Sequence, residues 1–451
     1  MNWTTKVLEI SGRRRREVVD ALRRGTVPQQ GLDVLAVGLG RFEEATADEL
    51  GMVASGGSVF KAVRGEYGSG KTFFSRWLIE KGKKLGFASA EVQISETETP
   101  LHRLETIYRR VTENLATSEF APSALRDVVD GWFFTLEQDV EASGGDRANH
   151  SAFNAAVLTL MERRLDSVVR TAPAFATVLR GYHQAMLDGD QLQAEGLLAW
   201  LGGQPHVAAS VRRAAGIRGE LDHFGALGSL QGLLTILRDS EYKGLILVLD
   251  EVETLQRVRS DVREKSLNAL RQLVDEIDAG KFPGLYLVIT GTPAFFDGSQ
   301  GMQRLPPLAQ RLAVDFSTDA RFDNPRAPQI RLPGFNLDSL TGLGIKVRDI
   351  YASGSGTSPR ISAIVDDKYI SDLSRAVAGE LGGKAGVAPR LFVKKLVADV
   401  LDRVDQFADF DPRKDYSLTV SSRELTDEEA AVTRLGNTLS PGSVDDVELN
   451  L

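Results

Sequence analysis

The sequence predicts an α/β fold, a parallel sheet interrupted by a large helical insertion and followed by a second helical region. Three observations predict it. An alternating, β-branched run, SVFKAVRG (58–65), leads directly into a glycine-rich loop and then a helix. Two continuous apolar runs, GLILVLDE (244–251) and LYLVITGT (285–292), have the character of strands buried on both faces, as parallel sheets require. Across residues 101–240 the apolar positions instead repeat with helical spacing, and no convincing strand occurs.

Six segments follow in order. Residues 1–56 read as helices. Glu17, Val18, Val19, Ala21 and Leu22 follow an arginine run, 13–16, with helical spacing, and Gly25 and Pro28 close that helix. A second helix begins near Arg41 and ends at Gly56-Gly57. Residues 57–100 form the first part of the core. They hold the strand 58–65, a helix from Lys71 in which Phe73, Phe74, Trp77 and Leu78 share a face, and a second strand, ASAEVQIS (88–95). Residues 101–240 are the insertion, broken by SGGD (143–146), TAP (171–173) and GGQP (202–205). The second part of the core, 241–336, holds the two apolar strands, a helix over 261–279 and a further strand, QIRLPGF (329–335). In the segment 337–420, residues 337–353 and 366–407 are helical. The tail, 421–451, is polar and acidic.

Composition narrows the function. The 451 residues are 42% hydrophobic and 26% charged, enough chain for two or three domains. A net charge of −8 excludes wholesale wrapping of nucleic-acid phosphate, so DNA contact would need a local patch. The one concentrated basic patch is Arg13 to Arg16 with Arg23 and Arg24, which reads first as a solvated helix face, with contact to a DNA backbone or an acidic partner the alternative. No cysteine occurs, which excludes disulfides, thiolate metal sites and cysteine nucleophiles and fits a reducing cytoplasm. The apolar runs are far below the ~20 residues that span a bilayer. MNWTTKVLEISGRRRR has no apolar stretch after its charges. A cytoplasmic protein with no membrane partner is expected.

The strongest chemical signal is Gly65-Glu66-Tyr67-Gly68-Ser69-Gly70-Lys71-Thr72, which fits the phosphate-binding loop G-x-x-x-x-G-K-[ST] between a strand and a helix. Its glycines allow backbone conformations that turn N–H groups toward phosphates. The helix from Lys71 through Phe73 adds the positive end of its dipole. Lys71 would reach the β- and γ-phosphates, and the Thr72 hydroxyl would ligate Mg²⁺.

The second signal is LVLDEVE (247–253). An acid ending a buried strand is costly unless it serves a charged ligand or metal. Asp250 would hold Mg²⁺ through water. Glu251 would orient and polarise the attacking water, with Glu253 the rival base. Thr290, with Thr292 behind it, ends the next strand. It either senses the γ-phosphate or satisfies its own turn before Pro293. No N-K-x-D sequence supports guanine recognition. Leu201-Gly202-Gly203-Gln204 lacks the serine of the transporter-ATPase signature and runs into Pro205, so it reads as a turn. A small-molecule kinase stays open, because nothing defines an acceptor pocket.

With these motifs placed, the chain resembles the ATP-binding proteins of BREX-type phage-defence islands, the BrxD-like P-loop family, from about residue 13 to 405. The carriers are RRREVVDALRRGTVPQQGLDVLAVG (14–38), RGEYGSGKTFF (64–74), LLAWLGG (197–203), YKGLILVLDEVE (242–253) and LVITGTPAFF (287–296). The resemblance implies a branch of the AAA+ ATPases near the origin-recognition group. It implies an ATP- and Mg²⁺-dependent switch with ATP and ADP as ligands. It also implies a C-terminal helical lid, a homo-oligomer, and other defence-system proteins and DNA as partners. Gly40-Arg41-Phe42-Glu43-Glu44 would lie near the base. Ala388-Pro389-Arg390 resembles the lid motif whose arginine senses the γ-phosphate, and capping is the alternative for Arg390. Arg311 stands where related ATPases carry a finger for a neighbour's nucleotide, with Arg326 the rival and a surface role the alternative. Two departures stand out. Asp250 follows Lys71 at a distance that demands an insertion larger than a plain AAA+ core. Too little ordered chain is expected after 407 for the winged helix of DNA-binding relatives. A nucleotide-stabilised scaffold or a DNA-binding module with negligible turnover is the alternative function.

Overall fold

A computed structural model describes residues 10–217, 219–381, 389–421, 424, 425 and 430. Most of the tail 421–451 therefore lies outside the described residues. The chain is mixed α/β, mostly helical, and divides into two compact units. One holds 44–64 and 81–330; the other holds the chain up to Glu43, Gly65–Glu80 and the chain from Arg331 onward.

The first of these units is built on a five-stranded sheet in the order β2-β3-β4-β1-β5, with β1 Val59–Arg64, β2 Ala88–Gln93, β3 Leu245–Asp250, β4 Leu285–Gly291 and β5 Gln329–Arg331. The pairs β1–β4, β2–β3 and β3–β4 are parallel. Every residue of β3 and β4 is buried, the reason both read as unbroken apolar runs. The register opposes Gln93 to Asp250 and Leu249 to Ile289, so the carboxyl ends of β2, β3 and β4 finish at one level. That edge is where open parallel sheets carry their ligand-facing residues.

Lys61 of β1 carries a charge and is nonetheless 2% exposed. Its ammonium pairs with Glu49 at 2.5 Å and donates to the carbonyls of Ala327 at 2.8 Å and Pro325 at 3.3 Å, and Glu49 also accepts from the Tyr286 hydroxyl. A buried charge is tolerated here because its partners are supplied in full.

Among the described residues, eight helices run between β2 and β3, from Leu104–Glu113 to His223–Asp239. They share one core with the sheet. In the helix Leu125–Ala142, Val128, Val129, Trp132, Phe133, Leu136 and Val140 are buried at helical spacing. Gly202 and Gly203 turn the chain after the helix Gln191–Leu201. The orphan carbonyls there are met by Tyr108, whose hydroxyl donates to Leu201 at 2.9 Å, and Thr112, which donates to Gly202 at 2.8 Å. A turn is what Leu201–Gln204 predicts.

The second unit has its own core. The helix Gly12–Arg24, capped by Ser11 and closed by Gly25 at φ 71°, buries Val18, Val19 and Leu22. They join residues of the helices Leu337–Ala352, Asp367–Glu380 and Pro389–Lys394 and of a π-helical stretch, Lys395–Leu401. Arg23 clamps Asp402 with bonds of 2.6 and 2.9 Å. A short helix, Ser358–Ile364, appears where sequence periodicity predicts none. Residues 382–388, within the predicted helix 366–407, lie outside the described residues.

Candidate functional site

The glycine-rich loop belongs to the second unit. Gly68 at φ 77° and Gly70 at φ 92° occupy the left-handed region, which a side chain would strain. Gly65 is required for another reason, since a Cβ there would stand 2.2 Å from Ser69 Oγ. The turn is therefore as tight as the spacing G-x-x-x-x-G-K-[ST] demands. Lys71, the first residue of the helix Lys71–Lys84, is buried. Its ammonium donates to Gly65 C=O at 3.0 Å and Glu66 C=O at 3.4 Å and lies 5.1 Å from the Tyr67 ring centroid. Glu66 and Tyr67 are exposed, and Thr72 is half-buried. Phe73 packs on the core that holds Val18 and Phe392. Ser69 Oγ is buried without a hydrogen-bond partner among the described residues, a hydroxyl that a bound oxyanion would satisfy. The loop fits a phosphate ligand.

The acids belong to the first unit. Asp250 and Thr290 are buried at the ends of β3 and β4, and Thr290 Oγ1 donates to Asp250 Oδ1. Glu251 follows in the left-handed region, φ 62° and ψ 44°, which costs a non-glycine residue about 1–3 kcal/mol. Its N–H is shared between Thr290 Oγ1 at 3.1 Å and Asp250 Oδ1 at 3.2 Å. Its carboxylate accepts from Gln93 Nε2 at 2.9 Å. Asp250, Glu251 and Thr290 are thus brought into one hydrogen-bonded group, joined by Gln93 from β2, which the motifs did not single out. Position was the available signal: Gln93 is the last residue of a strand that pairs with β3. Glu253 is buried in the turn Val252–Gln256, and Thr292 is buried as well.

The Thr72 hydroxyl in the second unit and the Asp250 carboxylate in the first are each hard oxygen donors, of the kind Mg²⁺ takes. Among the described residues no group of three or more His, Asp or Glu side chains could hold a metal by itself.

The three candidate arginines, Arg311, Arg326 and Arg390, are each engaged. Arg311, 42% exposed, pairs with Asp275 at 2.9 Å and Asp278 at 3.0 Å. Arg326 pairs with Asp48 at 2.7 Å and Glu44 at 3.2 Å, which raises its pKa. Arg390 donates to the Glu424 carbonyl, while Ala388 lies outside the described residues. Burial alone would raise the Glu424 carboxyl. Bonds from Lys395 and the Ser421 N–H, with the charges of Lys395 and Lys394, hold it instead at about 2. Within the basic patch, Arg13 pairs with Glu17, Arg14 with Asp33 and Glu80, and Arg23 with Asp20 and Asp402. Half of the six arginines are therefore neutralised locally, which weakens the patch as a phosphate-backbone contact.

Comparison with known protein families matches residues 10–420 to the family described as BREX system ATP-binding protein BrxC/D. The match covers most of the chain, which belongs to that family. It is an ATP-binding protein of a BREX phage-defence system. No protein of curated function matches it. No described helix is long and apolar enough to cross a membrane.

Proposed function

We propose, with that membership as premise, that the chain is a P-loop ATPase of the AAA+ type that switches a phage-defence assembly by binding and hydrolysing ATP. The observation that carries this reading is the loop 65–72. Its two left-handed glycines, its tightly turned Gly65 and its partnerless buried hydroxyl form a cradle for an oxyanion next to an anchored lysine. In this reading residues 65–73 hold the nucleotide, with Lys71 set against its phosphates and Thr72 and Asp250 serving Mg²⁺. When bound, the cation neutralises charge on the phosphate oxygens.

Glu251 acts as the base. Its backbone is fixed by Thr290 and Asp250, and its carboxylate is held by Gln93, so it is oriented before substrate arrives. Arg390 acts as the arginine of the helical lid. Arg311 acts in trans in a homo-oligomer, and freeing it from Asp275 and Asp278 is cheap, because exposed pairs are worth about 0–1 kcal/mol. Other defence-system proteins, and DNA through them, are the partners. The cytoplasm is the site of action.

Steady-state phosphate release tests the reading. Wild type should release phosphate at a rate that Lys71→Ala abolishes. Equal rates in the two proteins, with ATP still bound by wild type, would replace the enzyme with a nucleotide-stabilised scaffold.

A further inference from the structure

The turn that follows β3 is held by a side chain outside every motif. Arg263, in the first turn of the helix Ser260–Asp278, is 8% exposed. Its Nε donates to Leu255 C=O at 3.0 Å. Its Nη2 donates to Gln256 C=O at 2.9 Å and Val258 C=O at 2.8 Å, and its Nη1 to Gln300 Oε1. All of these acceptors are neutral. The guanidinium is also near the positive end of its own helix, where a cation is disfavoured. A buried charge in such a place is tolerated only when its donors are met, and here three are met by one short segment of backbone and a fourth by the Gln300 side chain. The planar fork fixes three carbonyls of 255–258 relative to one another, which a point charge could not do.

That segment is the continuation of Glu251. One end is tied by the Glu251 N–H to Thr290 and Asp250, and the turn Val252–Gln256 leads to the carbonyls that Arg263 holds. A non-glycine residue in the left-handed region persists only where its surroundings over-determine it. We infer that Arg263 is the positioning residue that keeps Glu251 in this conformation, by pinning the far end of its loop. Through Gln300 it also joins that loop to the segment between β4 and the helix Pro306–Arg311. The inference rests on the proposed role of Glu251 as base, and it adds a residue that touches neither nucleotide nor metal.

The test uses the full chain with Arg263→Gln, Arg263→Lys and Gln300→Ala. The readouts are ATP affinity, kcat, KM and amide hydrogen exchange without nucleotide. Arg263→Gln should lower kcat by about 10²-fold, the low end of what a misplaced general base costs, with ATP affinity unchanged. Exchange should rise at 251–258 while β3 and β4 stay protected. Methylguanidinium should restore part of the turnover. Arg263→Lys should fall between Arg263→Gln and wild type. If Arg263→Gln does not fold, Gln300→Ala removes a single bond and should move the same readouts less far. Unchanged exchange at 251–258, or a rise spread evenly over the sheet, would overturn the inference. So would full turnover in a variant whose loop exchange has risen. Should wild type itself hydrolyse no ATP, the reading of Glu251 falls, and the exchange data alone decide whether Arg263 pins the loop.

Discussion

Thr290→Val separates stability from chemistry at the end of the sheet. The substitution keeps the shape and deletes a hydroxyl that is fully buried. Two bonds are lost. The donation to the Asp250 carboxylate is a bond to a charged group, worth about 1.5–3 kcal/mol. The acceptance from the Glu251 N–H costs less, because that N–H keeps Asp250 Oδ1 as a second acceptor at 3.2 Å. The added methyl group returns about 0.8 kcal/mol. The net expectation is a loss of about 2 kcal/mol. Native-state hydrogen exchange of the β3 and β4 amides measures it as the opening free energy of those strands. Thr290→Ser is the counterpart, since it keeps the hydroxyl and loses a methyl, for about 1 kcal/mol. Both variants are destabilised, yet only Thr290→Val should lose hydrolysis while still binding ATP. Equal turnover in the two, or protection in Thr290→Val equal to wild type, would refute the assignment of this hydroxyl to the Asp250–Glu251 group.

Further outcomes follow from the same geometry. Glu251→Gln should bind ATP and slow its hydrolysis by about 10²–10⁴-fold, read by phosphate release, since an amide cannot take a proton; undiminished turnover would move the base to Glu253. Gln93→Ala should lower turnover with ATP affinity unchanged, because the amide no longer orients the Glu251 carboxylate; an unchanged rate would make that bond structural. Arg311→Ala mixed with Lys71→Ala should recover activity that neither has alone, and failure despite proven co-assembly would pass the finger to Arg326 or to no residue. Glu424 has its pKa lowered from 4.5 to about 2, so its contribution is complete above the unfolded value and disappears as pH falls through about 2. Exchange at Ser421 in acid should show that loss, and Glu424→Gln should abolish the pH dependence.

Sequence reading reached what local chemistry dictates. The strands β1 to β4 were legible because each is a short β-branched or apolar run bounded by turn residues. The loop was legible because its glycines are demanded by backbone angles that no other residue adopts easily. Other features depend on contacts distant in sequence. The burial of Lys61 depends on Glu49, Ala327 and Pro325, brought to it from 12 positions before and more than 260 after. Gln93 and Glu251, 158 positions apart, meet only through the pairing of β2 with β3. The partners of Arg311 are acids on a helix that ends more than 30 positions earlier, and surface ion pairs leave no periodic trace in a sequence.

The phosphate loop and the first turns of its helix share a compact body with the described residues up to Glu43 and from Arg331 on, while the strands before and after it belong elsewhere. Neither body is a contiguous stretch, so neither can be cut out as a single fragment. A piece spanning 44–330 would carry both motifs and still leave behind the residues against which Phe73 packs. A chain cleaved in the 300s would strand its own nucleotide loop. Loss of ATP binding after a distant cut, with both motifs intact, is the behaviour this threading imposes.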